Sequence, residues 1–140
     1  MNSQTKAIYD SAWASFCSSK YEDALAVIQS SSPEVQASGA ILIVAADSLY
    51  ELGKDLEALQ AYILYLEKHP TGRASSFALF NSAICLKNIG AEDEAIEVLK
   101  LVPDGHEGLQ KEVADSLNRV NRLEQARKLF KKLQVYMEQR

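Results

Sequence analysis

At 140 residues, with a formal charge of −4 and an apolar share of 47%, the chain is long enough for one ordinary core and too short for two independent domains. Three prolines and six glycines leave little room for long loops, and the lack of a net basic charge argues against a general nucleic-acid binder, which has to neutralise phosphates. The charge is uneven: residues 1–110 carry 7 Lys/Arg against 15 Asp/Glu and residues 111–140 carry 8 against 4, so a basic end follows an acidic body.

The first thirty residues hold no continuous apolar run, and no signal peptide is expected. The first candidate element carries Tyr9, Trp13 and Phe16 at helical steps of four and three, and Tyr21-Glu-Asp-Ala24-Leu-Ala-Val-Ile28 follows as a second amphipathic stretch. Ser32-Pro33-Glu34 reads as the start of the next helix, with proline at its first position. The run Gly39-Ala-Ile-Leu-Ile-Val-Ala-Ala46 is the most apolar one and falls far short of the roughly 20 residues that a membrane helix requires. No membrane insertion is expected, and a cytoplasmic location is.

Further along, the phrase at Tyr21 returns three times, as Leu56-Glu-Ala58-Leu-Gln-Ala-Tyr62, as Glu92-Asp-Glu-Ala95-Ile-Glu-Val-Leu99 and as Leu123-Glu-Gln-Ala126-Arg-Lys-Leu-Phe130. The anchor alanines Ala24, Ala58, Ala95 and Ala126 stand 34, 37 and 31 residues apart, which brackets the period of about 34 of a helix-turn-helix repeat. An alanine followed four residues later by a large apolar side chain puts both on one face, and the alanine is small where a partner helix comes close. Upstream of the second and third phrases, Leu42, Ala45, Ala46 and Leu49, and then Leu79, Ser82, Ala83 and Leu86, give each its first helix. Gly53 and Gly90 are placed to end those first helices in a left-handed cap, and Pro70 and Pro103 to follow second helices. Asp104-Gly105-His106-Glu107-Gly108 reads as the longest loop.

Ala46, Tyr50, Gly53, Ala58, Tyr62 and Pro70, followed by Ala83, Gly90, Ala95 and Leu99, resemble the tetratricopeptide repeat family at its own spacing over nearly the whole chain. The first unit departs from it, with Ser19-Lys20 where a glycine belongs before Tyr21. The resemblance implies an all-α fold: a single α-solenoid domain over 1–140, with three helix hairpins at 4–33, 34–70 and 73–103 and a degenerate, capping helix pair at 106–139, about eight helices in all. In this family the first helix of each pair lines a concave groove. The residues carried onto that groove are Lys6, Tyr9, Asp10, Trp13 and Phe16; Ala40, Ile43, Val44, Asp47 and Tyr50; and Phe77, Phe80, Asn81, Ile84 and Asn88. The alternative for the aromatic members is that they fill the stack's own core or sit beneath the C-terminal helix.

Their apolar and aromatic character suits capture of a helical or extended protein segment, and the expected function is a non-catalytic scaffold or adaptor for a protein or peptide partner. A chaperone for a secreted or self-assembling subunit, like the small tetratricopeptide chaperones of type III secretion, is the narrower alternative. The two-carboxylate clamp of chaperone-binding relatives is incomplete: Lys6 and Asn81 fall at its places, but Asp10, Val44 and Phe77 stand where asparagines and a lysine belong. No phosphate loop, nucleophile motif or metal-spaced His/Cys set occurs, and no cofactor is expected. Cys17 and Cys85 read as buried free thiols. The last helix, from Arg122, carries the seam Leu123, Ala126, Phe130, Leu133 and Met137, widened by Leu129 and Tyr136, with Arg127, Lys128, Lys131 and Lys132 outside it. It is expected to cap the stack or to join two copies as a homodimer, and a structural oligomerisation module is the remaining reading.

Overall fold

A computed structural model of the protein describes residues 1–71, 73–102 and 110–139, and the described residues are all helical, without a strand. The chain divides into two compact units, Met1–Val102 and Pro103–Arg140. The first holds α1 (Ser3–Cys17), α2 (Tyr21–Gln29), α3 (Pro33–Gln36), α4 (Gly39–Glu51), α5 (Asp55–Lys68), α6 (Arg73–Ile89) and α7 (Glu92–Leu101); the second holds α8 (Gln110–Glu138). Pro103 and the expected loop from Asp104 to Gly108 lie outside the described residues.

Three connections in the first unit are one turn used three times. After α4, the Gly53 N–H bonds the Tyr50 carbonyl at 3.0 Å and the Lys54 N–H bonds the Leu49 carbonyl at 2.9 Å, with Gly53 at φ +76°. After α6 the same pair runs from Gly90 to Lys87 and from Ala91 to Leu86, with Gly90 at φ +101°. After α1 it runs from Ser19 to Phe16 and from Lys20 to Ser15, and here Ser19 takes the left-handed position at φ 59°. This bond pattern satisfies the last carbonyls of a helix and reverses the chain within three residues. Lys20, Lys54 and Ala91, the residues before the following helices, share ψ values of 68°, 69° and 64°, and each of those helices opens with acidic side chains at its positive end.

The tight turns place α1 against α2, α4 against α5 and α6 against α7, while α2 also meets α4 and α5 meets α6. The crossings are made by small residues: Ala24 and Ala58 are 0% exposed, Ala95 is 2% exposed, and Ala46, Ala78, Ser82 and Ala83 are buried opposite them. One core cluster joins Ala12, Ile28, Val35, Ile41 and Val44, and a second joins Ala46, Ala58, Tyr62, Ala78 and Cys85. The buried hydroxyls of Ser48 and Ser82 are satisfied within their own helices, each donating to the carbonyl four residues back at 2.7 Å.

Three expectations need correction. Ser32-Pro33-Glu34 does start a helix, and Ser32 Oγ accepts the Val35 N–H at 3.3 Å, but that helix is the four-residue α3. It stops at Ala37, because Ser38 and Gly39 are weak helix formers and α4 begins afresh at Gly39. At the other end the expected helix pair at 106–139 is one continuous helix of 29 residues. No glycine or proline lies between Gln110 and Glu138, so nothing in the sequence stops the helix at the point where the fourth turn was due. Finally, Cys17 is exposed at the last position of α1, whereas Cys85 is buried, and both thiols are free.

Along α8, the stripe residues Leu123, Leu129, Phe130, Leu133, Tyr136 and Met137 are between 43% and 64% exposed. Among the described residues no helix is long and apolar enough to cross a membrane.

Candidate partner-binding cleft

Tyr9, Trp13 and Phe16 of α1 form an aromatic stair along one side of that helix. Tyr9 and Trp13 lie one turn apart with ring centroids 6.2 Å apart and planes 6° from parallel; Trp13 and Phe16 follow at 5.6 Å and 16°. Phe16 then meets Tyr21 edge-on at 5.4 Å, which ties the stair to the start of α2. Helical spacing of four and three produces this stacking, because i, i+4 and i, i+3 side chains lie above one another on one face.

Opposite the stair, the first turns of α4 supply Gly39, Ala40, Ile43 and Val44, the end of α5 supplies Tyr65 and His69, and α6 supplies Ala74. Together with Tyr9 and Trp13 they enclose an open cleft of about 310 Å³ with mostly apolar walls. Val44 forms its floor and is itself part of the core. The His69 ring stacks on Tyr65 at 4.8 Å and lies so close to α4 that a Cβ on Gly39 would fall 2.6 Å from His69 Nε2. Glycine at that place therefore lets the end of α5 approach the start of α4 and closes that side of the cleft.

Of the residues that sequence placed in a groove, the structure brings Tyr9, Trp13, Ile43 and Val44 together in the cleft, with Ala40 beside them. Phe16 stands on the same stair and packs on the core cluster around Ala12 rather than lining the cleft. Asp47 and Asn81 belong to a different feature. The fully buried Tyr62 donates its hydroxyl hydrogen bond to Asp47 Oδ1, and Asn81 Nδ2 donates to the Tyr62 oxygen at 3.1 Å, so this triad joins α4, α5 and α6. Tyr50 is half-buried against the second core cluster. Phe80 and Ile84 are half-buried on α6 and Phe77 is more exposed, none of them in the cleft lining. Lys6, one of the two clamp-like residues, forms an exposed ion pair with Asp10 at 3.7 Å.

Gly39, Tyr65, His69 and Ala74 are cleft residues that the sequence reading missed. Contacts expected from first helices alone leave out Tyr65 and His69, which stand at the end of a second helix, while Gly39 and Ala74 lie at the starts of first helices, ahead of the expected contact positions. A signal was present in the i, i+4 aromatic pair at the end of α5, and in a glycine at a helix start where no cap requires it.

Burial dominates the electrostatics of the neighbouring triad. It raises the Asp47 carboxyl above its ordinary value; the Tyr62 hydrogen bond works the other way, the Glu51 charge adds to the rise and Asn81 opposes it. The hydroxyls of Tyr62 and Tyr50 are raised in turn, first by burial and then by nearby negative groups. Burial, with Asp55 second, pushes the Cys85 thiol up to about 12, which keeps it protonated and unreactive at neutral pH. Among the described residues no group of three His, Cys, Asp or Glu side chains comes together in a way that could hold a metal. No family model matches the chain, and no curated protein or solved structure is significantly similar to it.

Proposed function

We propose that Met1–Val102 is a short stack of tetratricopeptide-type helix pairs that acts as a non-catalytic interaction module, holding a segment of another protein in the cleft between α1, α4 and α5. The observation that carries this reading is the cleft, in which Trp13 keeps 44% of its surface exposed beside Tyr9, Ile43 and Tyr65. Large aromatic side chains are left half-open around an apolar hollow when a partner's side chains complete the packing. The threefold turn and the alanine crossings support the repeat: each pair buries one face against the next, and the remaining face of the first helices stays available. A cleft of about 310 Å³ accommodates a few apolar side chains of a helix or an extended strand, which is the scale of a peptide anchor.

Trp13→Ala and Ala40→Gln test the reading, the first removing the aromatic wall and the second filling the hollow with a polar side chain that helices tolerate. Both variants should keep the helical circular dichroism of the parent and lose a partner that the parent captures and that shifts its Trp13 emission. Equal capture by parent and both variants would place the interaction elsewhere.

A further inference from the structure

We infer that the segment held in the cleft is a basic one, with an apolar anchor seated beside Trp13 and an arginine or lysine about 6–12 Å further along to meet Asp47 and Glu51. The inference rests on the cleft reading proposed above and adds the chemistry of the occupant. Among the described residues, those lining the hollow include no carboxylate, lysine or arginine. On α1, beside the aromatic stair, Lys6 and Asp10 pair with each other.

Charge enters one turn further along α4. Ala40, Ile43, Asp47 and Glu51 step by three, four and four, so they stand on one face. The first two line the hollow; at 1.5 Å per residue Asp47 lies about 6 Å and Glu51 about 12 Å beyond Ile43. Ala74, Asn81 and Asn88 of α6 step by seven and share a face in the same way, Ala74 in the lining, Asn81 on the Tyr62 oxygen and Asn88 donating to Asp55 Oδ1 at 3.1 Å.

Asp47, Glu51 and Asp55 gather around Tyr50, whose hydroxyl all three help to hold protonated. Among the described residues none of the three carboxylates forms an ion pair. The C-terminal turn of α4 adds a partial charge of the same sign. At the other end of the row, ahead of α4, Lys68 Nζ donates to the Ala37 carbonyl at 3.3 Å, so the face runs from a positive to a negative end. A cation carried by the partner relieves the repulsion among the three carboxylates while its apolar neighbour fills the hollow; an acidic segment would add to that repulsion.

Trp13 is the only tryptophan of the chain, so its emission reports on the hollow directly. The probes are the octapeptide acetyl-Gly-Leu-Phe-Gly-Arg-Gly-Arg-Gly-amide and the same residues in reverse order, each with control forms in which glutamine or glutamate replaces both arginines. Extended chain places these arginines about 7 and 13 Å from the phenylalanine. In the tighter of the two orders, the arginine form should bind about 3–10-fold more tightly than the glutamine form at low salt, with the glutamate form weakest. Glu51→Lys, at an exposed position in the last turn of α4 where lysine is favoured, should remove that preference. Glu97→Lys makes the same change of net charge at an exposed position on α7 and should leave the preference in place.

Equal loss in Glu51→Lys and Glu97→Lys would mean that net charge alone is read, and equal binding of the three forms would mean an uncharged occupant. Either result, or tightest binding of the glutamate form, overturns the inference and leaves the cleft reading standing. If none of the peptides moves the Trp13 emission, the cleft reading falls and the inference falls with it.

Discussion

Ala58 and Ala126 carry almost the same phrase, Leu56-Glu-Ala58-Leu and Leu123-Glu-Gln-Ala126, and meet opposite fates: the first is sealed between α4, α5 and α6, the second is exposed on α8. The difference lies five residues upstream of each anchor alanine. Ser19, Gly53 and Gly90 occupy that place before Ala24, Ala58 and Ala95, and all three adopt the left-handed conformation that turns the chain. Before Ala126 the residue is Asn121, which runs on inside the helix. Glycine in a helix interior costs about 1 kcal/mol against alanine, whereas asparagine costs less and is at home in either conformation. Where a helix face is already waiting for the returning segment, even serine makes the turn. The phrase sets which face is small; the turn residue and the waiting face decide whether a hairpin forms.

The largest break in this comparison comes from enlarging the alanines. Ala58→Leu inserts three carbons into a crossing where Ala46 and Ala78 already close on it, and such overpacking costs about 1–3 kcal/mol. Ala126→Leu adds the same atoms to an exposed helix position and should change stability by no more than about 0.5 kcal/mol. Urea unfolding of the two variants measures the contrast directly, and equal midpoints would contradict the packing described for the first unit.

Much of that packing was legible, because the residues responsible act locally. Gly53 and Gly90 at positive φ, Pro33 behind a capping Ser32, and alanines at a 34-residue spacing each have one inexpensive structural use. The α3 break was only faintly legible: Ser38-Gly39 is a weak interruption by propensity, and the close approach of His69, which only a glycine at position 39 accommodates, is a tertiary contact. The site was half legible for a related cause. Tyr9 and Trp13 follow from helix spacing alone, but whether Val44 is floor or core, and whether Tyr65 reaches the same hollow, depends on how three helices cross. Asp47 and Asn81 read as groove polar groups because the sequence does not reveal that Tyr62, on the intervening helix, engages both.

A second contrast, of about 1 kcal/mol, separates the turns themselves. A Cβ on Gly53 or Gly90 would meet nothing within 4 Å, so Gly→Ala there tests backbone conformation without packing. The left-handed conformation costs a non-glycine residue about 1–2 kcal/mol, offset by about 0.4–1 kcal/mol from a less flexible unfolded chain. Gly53→Ala and Gly90→Ala should each lose about 1 kcal/mol, and Ser19→Gly should gain about 1 kcal/mol by the same arithmetic reversed. A Ser19→Gly variant that melts lower than the parent would show that the serine contributes more through its side chain than it loses through its backbone.

The smallest effect concerns the triad that ties α4 to α5 and α6. Because burial raises the Asp47 carboxyl above its unfolded value, the folded state holds that proton more tightly than the unfolded chain does. Its contribution is fully present below the ordinary carboxylate range and is lost as pH rises through the raised value, so at neutral pH an ionised Asp47 weakens the fold relative to acid. Asp47→Asn retains the oxygen that accepts the Tyr62 hydroxyl and removes the charge. The melting temperature of the variant minus that of the parent should therefore grow from acid to neutral pH and level off once Asp47 is fully ionised. A difference that stays constant across that range would mean that the carboxyl titrates alike in the folded and unfolded chain, and the triad would then be a hydrogen-bonded tie without an electrostatic penalty.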